Sequence, residues 1–185
     1  QNWLFNFNVW HWCLDLTMAK NIYSQSYDVI VLGAGAAGLM AAVSASHRGR
    51  SVLILEKSNM AGKKILMSGG GKCNFTNLSV SPDNFISDNT YFSTSALSRY
   101  RPEDFIHLVK SHRIAFEERK HGQLFCLGSS REILDMFLAE CEEGGIKIQT
   151  HFETHQVFKT AAYLKLSGDK NNFTIIKNQN SSLNI

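Results

Sequence analysis

The stretch YDVIVLGAGAAGLMAAVSASHRGRSVLILE, residues 27–56, decides the fold. It begins with a largely apolar, β-branched run that ends at a glycine turn, which is typical of a strand buried on both faces of a parallel sheet. The small residues from Gly38 to Arg48 predict a helix closed by Gly49. The apolar run at residues 51–56 predicts the next parallel strand, which completes a right-handed β-α-β unit.

The turn inside this unit carries a nucleotide-binding fingerprint. Gly33 allows a tight turn, Gly35 lets a pyrophosphate approach the backbone because it has no Cβ, and Gly38 lets the helix lie close to the sheet. The start of the helix then offers N–H groups and the positive end of its dipole to phosphates. Glu56 follows about 20 residues later, where a carboxylate can accept the ribose hydroxyls and repel a 2′-phosphate. The sequence therefore predicts a dinucleotide site that disfavours NADP.

A second glycine-rich run, KSNMAGKKILMSGGGKCNFTN at residues 57–77, follows at once. Segments 62–64 and 68–72 predict two flexible loops that are rich in backbone N–H groups and cations. Such loops can follow a ligand past the pyrophosphate towards a ribityl chain and ring, which favours FAD. An NAD-binding Rossmann dehydrogenase is the alternative, because both cofactors share the fingerprint. A P-loop is excluded, since Cys73 stands where a hydroxyl residue is required.

Length and composition are those of one ordinary domain. The chain has 185 residues, of which 44% are hydrophobic, and a formal net charge of +3. From Arg48 to Lys72 there are six Lys and Arg residues and a single acid, Glu56. This basic stretch suits a phosphate-bearing ligand, and an RNA-associated module is the alternative use for it.

Cysteine usage and hydropathy predict the compartment. The four cysteines form no Cys-x-x-Cys pair, and no run is long and apolar enough to span a bilayer. Reduced thiols, a cytoplasmic location and no membrane partner are therefore expected. Residues 1–25 predict an irregular N-terminal extension, within which Met18 has the character of a natural start.

The middle of the chain predicts helices and a hairpin. Residues 79–98 are polar and predict a long loop, after which Pro102 marks the first turn of a helix. Residues 114–126, IAFEERKHGQLFC, predict a hairpin that turns near His121. Ser129, followed three residues later by Glu132, forms a capping box that predicts another helix.

The last part of the chain predicts strands and then a tail. The capped helix ends at Gly144. Residues 146–160 predict a pair of strands, and residues 163–169 predict the beginning of a further hairpin. Residues 171–185 lose this pattern and predict a tail.

The segments VLGAGAAGLMAA, LEK and GKKILMSGGGKCNFTN together resemble the BaiN-like bacterial NAD(P)/FAD-dependent oxidoreductases. The resemblance implies an FAD/NAD(P)-binding Rossmann-like three-layer α/β domain, in which a parallel sheet is joined to a β-meander. Residues 26–170 correspond to the N-terminal portion of the FAD-binding domain. The resemblance implies that the family's substrate domain and C-terminal FAD segment are missing from this sequence, and Phe125-Cys126 stands where the family commonly has Phe-Pro.

The resemblance also implies a set of FAD-binding residues. Those expected at the pyrophosphate are Gly33, Gly35, Ala36, Ala37 and Gly38. Those expected along the adenosine and its phosphates are Glu56 at the ribose, Lys57, Lys63, Lys64 and, through its backbone at the adenine, Thr154. Those expected near the ribityl chain or the ring are Gly71, Lys72, Cys73 and Asn74.

The chemistry implied by the resemblance belongs to the flavin, which passes a hydride from NAD(P)H to an organic acceptor. Reduction of a carbon–carbon double bond in a steroid-like small molecule or a modified pyrimidine is the implied substrate class. No catalytic residue can be named. Cys73 has no cysteine near it in sequence, and His151 and His155 on a predicted strand lack zinc-ligand geometry. A truncated, non-catalytic piece of such a flavoprotein is the alternative.

Overall fold

The computed structural model describes residues 25–159, 163–168 and 172–176. Apart from Gln25, the expected N-terminal extension lies outside these residues, as does the end of the expected tail. The strands and helices follow in chain order as β1 (Gln25–Tyr27), β2 (Val29–Leu32), α1 (Ala36–Ser46), β3 (Val52–Leu55), α2 (Lys63–Met67), β4 (Asn74–Asn77), α3 (Thr94–Arg99), α4 (Pro102–Ser111), β5 (Phe116–Glu118), β6 (Gln123–Cys126), α5 (Ser130–Glu143), β7 (Lys147–Gln149), β8 (Thr154–Lys159), β9 (Tyr163–Gly168) and β10 (Asn172–Ile176).

The strands form three sheets. A parallel sheet has the order β2-β3-β7, and a meander has the order β1-β10-β9-β8, in which β1 runs parallel to β10 and the other neighbours are antiparallel. The third sheet is antiparallel, with the order β4-β6-β5. Short 3₁₀ turns occupy Ser68–Gly71, Pro82–Asn84 and Lys120–Gly122.

The central strand β3 separates two cores. Because successive side chains of a strand point to opposite faces, Val52 and Ile54 pack among the helices, while Leu53 and Leu55 pack on the other side with Phe152. All four side chains of β3 are buried. The parallel sheet is thus the middle layer of three, as the resemblance implies.

The β-α-β unit is confirmed with small shifts at the ends of its helix. The helix begins at Ala36 rather than Gly38, because Gly35 is extended and serves as its N-cap. It ends at Ser46 with His47 as C-cap, and Gly49 follows with φ +73°, a left-handed value that favours glycine.

Two segments predicted to be loops contain short helices. Residues 62–64 do not form a flexible loop, because Gly62 is the left-handed N-cap of α2, and Ile65 anchors that helix in the core. The predicted loop at residues 79–98 includes the start of α3, which begins at Thr94. The preceding residue, Ser93, is buried.

The end of the chain also differs from the prediction. Residues 146–160 contain two strands, β7 and β8, but they belong to different sheets and do not pair with each other. Between them, the N–H of His151 donates to the Ser58 carbonyl at 3.0 Å and that of Phe152 to the Glu56 carbonyl at 3.0 Å, which redirects the chain. The expected tail contains β10, which completes the predicted hairpin by pairing antiparallel with β9. Its second pairing, with β1, is long-range and leaves no local signal.

Three further predictions are confirmed. Pro102 begins α4, and β5 and β6 form the hairpin around a turn at residues 120–122. The capping box opens α5, since the Ser129 N–H donates to Glu132 Oε2 at 2.9 Å and the Ser129 side chain accepts from the first turn. Within the described residues, none of the helices is sufficiently long and apolar to span a membrane.

We expect Ser129→Ala to lower the free energy of unfolding by about 1 kcal/mol, because it removes the side-chain acceptor for the first turn of α5. Ser98→Ala is the matched control, since the Ser98 hydroxyl is exposed and donates only to the Ser95 carbonyl. Urea unfolding followed by circular dichroism measures both. Equal effects from the two variants would contradict the capping role.

Candidate dinucleotide-binding site

The first glycine turn brings α1 onto the end of β2. A Cβ atom at Gly38 would lie 2.0 Å from the carbonyl oxygen of Gly33, so only glycine permits this approach. Gly33 itself has φ +98° and donates its N–H to the Leu55 carbonyl at 2.7 Å. The close approach of the helix to the strand is therefore made by backbone atoms.

The start of α1 is open towards the ligand side. A Cβ atom at Gly35 would meet no atom within 4 Å, and no side chain caps the helix. In the described part of the chain, the N–H groups of Gly35, Ala36 and Ala37 donate to no acceptor. This arrangement of free donors, positive helix dipole and empty space fits an anionic group such as a pyrophosphate.

Ala34 joins this turn to the two features that follow it in sequence. Its N–H donates to Glu56 Oε2 at 2.7 Å, and its carbonyl accepts the N–H of Gly62 at 2.8 Å. The residue is only 1% exposed. One buried peptide segment therefore binds both the expected ribose carboxylate and the second glycine-rich run.

The Glu56 carboxylate is held ionised by its neighbours. Its Oε1 accepts the N–H and the hydroxyl of Ser58, both at 2.7 Å. Burial alone raises the pKa of Glu56, but the hydrogen bonds from Ser58 and Ala34 and the charge of Lys63 outweigh it, so the pKa is lowered. Three protein donors leave room for a further donor such as a ribose hydroxyl, since a carboxylate offers about four acceptor positions.

The second glycine-rich run lies against the first turn. A cavity of about 310 Å³ is bounded on one side by Gly35 and Ala36 and on the other by Lys64, Ser68 and the strand β4. It is also lined by Cys73 and Asn74. The structure thus brings residues expected at the pyrophosphate and residues expected near the ribityl chain or ring to one cavity.

Aromatic residues from three elements form the remaining wall of this cavity. Phe75, Phe105 and Phe137 line it, with ring centroids 6.0 Å apart for Phe75 and Phe105 and 5.9 Å for Phe105 and Phe137. Phe105 lies in α4 and Phe137 in α5, and an apolar side chain in a helix gives no sequence signal that separates a core residue from a pocket residue. An apolar, water-excluding wall suits a planar ring.

Several expected cofactor residues make protein contacts instead. The Lys72 ammonium donates to the carbonyls of Leu127 and Gly128 at 2.6 and 2.7 Å, and so holds the loop before α5. Lys57 pairs with Glu153 at 2.6 Å. Neither side chain lines the cavity.

The remaining expected residues lie around the site. Lys63 is close enough to lower the pKa of Glu56. Gly71, with φ +84°, ends the turn between Lys64 and β4 and does not line the cavity. Thr154 begins β8, two residues after Phe152, whose N–H donates to the Glu56 carbonyl. Its contact with adenine stays a prediction.

The structure gives Cys73 a neighbour that the sequence did not reveal. Because Asn74 pairs with Phe125, Cys73 lies next to Cys126 across the strands β4 and β6. Burial raises the pKa of the Cys73 thiol, and burial together with Cys73 and Glu132 raises that of Cys126 to about 11. Both thiols therefore stay protonated near neutral pH, which makes them poor nucleophiles.

We expect Gly38→Ala and Gly35→Ala to differ in how much they lower the stability of the fold. Gly38→Ala should destabilise the fold by about 2–3 kcal/mol, because its Cβ collides with backbone. Gly35→Ala should change stability by less than about 1 kcal/mol, since its Cβ enters open space. Denaturant unfolding measures both, and a Gly35→Ala loss as large as that of Gly38→Ala would contradict the geometry.

The lowered pKa of Glu56 predicts a pH dependence. An ionised Glu56 stabilises the fold above the ordinary glutamate pKa of about 4.5, and this contribution is lost as the pH falls through the lowered folded-state pKa. Glu56→Gln should therefore show a flatter decline of stability with acid below about pH 4.5. Unfolding curves at a series of pH values test this, and parallel declines would count against it.

Comparisons with known proteins support a Rossmann domain for this chain. Residues 27–179 match the family described as the HI0933-like protein Rossmann domain. The ribosomal RNA dihydrouridine synthase of Escherichia coli K12 is 45% identical over 146 residues, 78% of this chain and 36% of that protein. The corresponding protein of Haemophilus influenzae is 46% identical over 134 residues, 72% of this chain and 33% of that protein. This chain therefore spans about a third of the length of these relatives.

This chain is also similar to a more distant relative in sequence and to a solved structure in fold. The 3-dehydro-bile acid delta(4,6)-reductase of Clostridium scindens is 27% identical over 123 residues, 65% of this chain and 30% of that protein. The 3-ketosteroid-delta4-(5alpha)-dehydrogenase structure from Rhodococcus jostii superposes with a TM-score of 0.60 at 14% identity, covering 86% of this chain and 45% of that one, which supports the fold. The narrower BaiN-like assignment stays a prediction. The chain belongs to the HI0933-like Rossmann domain family.

Proposed function

We propose that this chain binds FAD and forms the cofactor-binding part of an enzyme that reduces a carbon–carbon double bond. The observation that carries this proposal is the cavity between the first glycine turn and the second glycine-rich run. A ligand whose pyrophosphate lies on the start of α1 would continue directly into this apolar space. NAD would need no such extension of the same strand-turn-helix unit.

Different residues would contact different parts of the proposed ligand. The N–H groups of Gly35, Ala36 and Ala37 would hold the pyrophosphate, and Glu56 would accept a ribose hydroxyl. Lys64, which makes no ion pair within the described residues, would balance phosphate charge. The bound flavin supplies hydride acceptance and donation at N5. NAD(P)H is the proposed electron donor, and its nicotinamide would need to reach the ring from outside this cavity.

A uridine in ribosomal RNA is the proposed substrate. The two relatives at 45% and 46% identity are ribosomal RNA dihydrouridine synthases, whereas the bile acid reductase is 27% identical. Dihydrouridine differs from uridine by two hydrogens across one carbon–carbon double bond, so a hydride and a proton account for the change. The exposed Arg48 and Arg50 would then be available to RNA phosphates. A cytoplasmic location follows from such a substrate.

FAD binding has a direct test. The purified chain is incubated with FAD, freed of excess cofactor by gel filtration, and examined for the visible flavin bands. We expect retained flavin in the wild type, affinity at least about tenfold weaker in Gly35→Ala, and unchanged affinity in Ser98→Ala. A chain that folds and retains no flavin would favour the non-catalytic alternative.

Substituting two lysines of the second glycine-rich run, one at a time, tests whether they act in FAD binding or in stability. Lys64→Met should weaken FAD binding by about tenfold while leaving stability nearly unchanged. Lys72→Met should mainly lower stability, because it releases two carbonyls. The reverse pattern would contradict the roles that the contacts assign.

The substrate proposal is tested in a chimera. This chain replaces the aligned segment of the Escherichia coli relative, in a strain lacking that enzyme, and dihydrouridine in ribosomal RNA is measured by mass spectrometry. We expect the modification to be restored. A chimera that carries flavin and oxidises NAD(P)H but leaves the RNA unmodified would argue against uridine while leaving FAD binding intact.

A further inference from the structure

Two cysteines lie side by side where the second glycine-rich run meets the strand β6. Asn74 pairs with Phe125 in the antiparallel sheet, so the residues one step further along each strand, Cys73 and Cys126, are cross-strand neighbours. Residues opposite one another in such a sheet have Cα atoms about 4.5–5.5 Å apart, which is within the range that a disulfide spans. Both side chains belong to the same buried core.

Hydrogen bonds already hold these two chain segments together while the thiols are reduced. The N–H of Cys126 donates to the Lys72 carbonyl at 2.9 Å. The Lys72 ammonium donates to the carbonyls of Leu127 and Gly128 at 2.6 and 2.7 Å. The residues next to both cysteines are therefore tied to each other, and a bond between the two sulfur atoms would require little movement of the backbone.

Cys73 has an unusual backbone conformation for its residue type. Its φ is +49°, in the left-handed region where a side chain is disfavoured and glycine or asparagine is usual. Gly69, Gly70 and Gly71 just before it also have positive φ, so this turn uses glycine wherever only the backbone shape matters. A cysteine kept in such a conformation indicates a use for its thiol.

The two thiols differ in how a reagent can reach them. Cys73 lines the cavity of about 310 Å³, whereas Cys126 is fully buried and does not line it. Burial raises the pKa of the Cys73 thiol, and a hydrogen bond from the Ser68 side chain opposes part of this rise. A reagent must therefore enter the cavity and react with Cys73 first, and Cys126 can act only on a bond already formed there.

We propose that Cys73 and Cys126 are a redox pair that closes to a disulfide when the cavity is empty and is protected when a ligand fills it. The co-reactant is a small-molecule disulfide of the glutathione type. The Cys73 thiolate attacks one of its sulfur atoms, which forms a mixed disulfide and releases one small thiol. Cys126 then attacks the Cys73 sulfur and releases the second small thiol. The two protein thiols lose two electrons and two protons, and the small disulfide gains them.

The protecting ligand is the FAD of the proposed function, and this half of the proposal rests on that function. A bound flavin would fill the space through which Cys73 is reached. Because burial raises the pKa of Cys73, little thiolate is present near neutral pH and closure is slow. The pair would therefore respond to a lasting loss of the cofactor and not to a brief exposure to oxidant.

The first experiment treats the chain, freed of FAD, with oxidised glutathione at pH 8. All variants also carry Cys13→Ser, so that only the three cysteines in the described part of the chain react. Mass spectrometry of the whole protein and its peptides should show a Cys73–Cys126 disulfide, with the loss of two hydrogens, in this parent and in Cys141→Ala. Cys126→Ala should instead keep one glutathione on Cys73. Cys73→Ala should react at least about tenfold more slowly than the parent, because Cys126 is buried.

Three results of this experiment overturn the proposal. They are a glutathione that persists on Cys73 in the parent, a disulfide that includes Cys141, and a folded parent that does not react although its unfolded form does. Circular dichroism checks that each variant folds. If Cys126→Ala is unfolded, the disulfide mapped in the parent decides.

The second experiment repeats the reaction of the parent with saturating FAD or ADP. FAD should slow formation of the disulfide at least about tenfold, because it covers the cavity through which the reagent passes. ADP is the matched control, since it carries the adenosine and pyrophosphate but no ring to fill the cavity, and it should leave the rate unchanged. Equal rates with and without retained flavin overturn the proposal. Flavin retention is recorded after gel filtration, so a chain that closes its disulfide but retains no flavin contradicts the FAD assignment and supports the pairing of the cysteines.

Discussion

The candidate site depends on the two hydrogen bonds made by Ala34. Its N–H and its carbonyl are buried together, and an unmade buried hydrogen bond costs roughly 1–3 kcal/mol. The partners are Glu56, at the end of β3, and Gly62, at the start of α2. Any movement of the second glycine-rich run away from the first turn would leave this carbonyl unsatisfied. The two halves of the site are therefore linked by the backbone and not by a flexible side chain.

The same run is also held from the side of α5. The Ser130 hydroxyl donates to the Leu66 carbonyl at 2.9 Å, and a Cβ at Gly62 would lie 2.3 Å from Leu134. Lys72 then fixes the two carbonyls that precede the capping box. Because each of these contacts reaches a different part of the chain, the cavity wall is positioned before any ligand arrives. Such preorganisation lowers the cost of binding.

Local sequence signals predicted the β-α-β unit, the capping box and the hairpin because each depends on neighbouring residues. The helix α2 was missed because two glycine-rich segments enclose only five helical residues, and its stability comes from Ile65 in the core. The role of Lys72 could not be predicted, since its acceptors at residues 127 and 128 lie 55 and 56 positions away. The neighbour of Cys73 is another long-range contact, created by the pairing of β4 with β6.

The chemistry of the cavity limits what this part of the protein can contribute to a reduction. Adding hydrogen across a double bond requires a proton as well as a hydride. Among the side chains lining the cavity, those of Lys64 and Cys73 carry an ammonium and a thiol, and burial raises the pKa of the Cys73 thiol. Lys64 lines the cavity together with Gly35 and Ala36 at the start of α1, where the proposed phosphates would engage its ammonium. The described residues are thus suited to hold and shield a flavin. A reduction of the proposed kind would then take its proton from water, from the substrate or from another part of the enzyme.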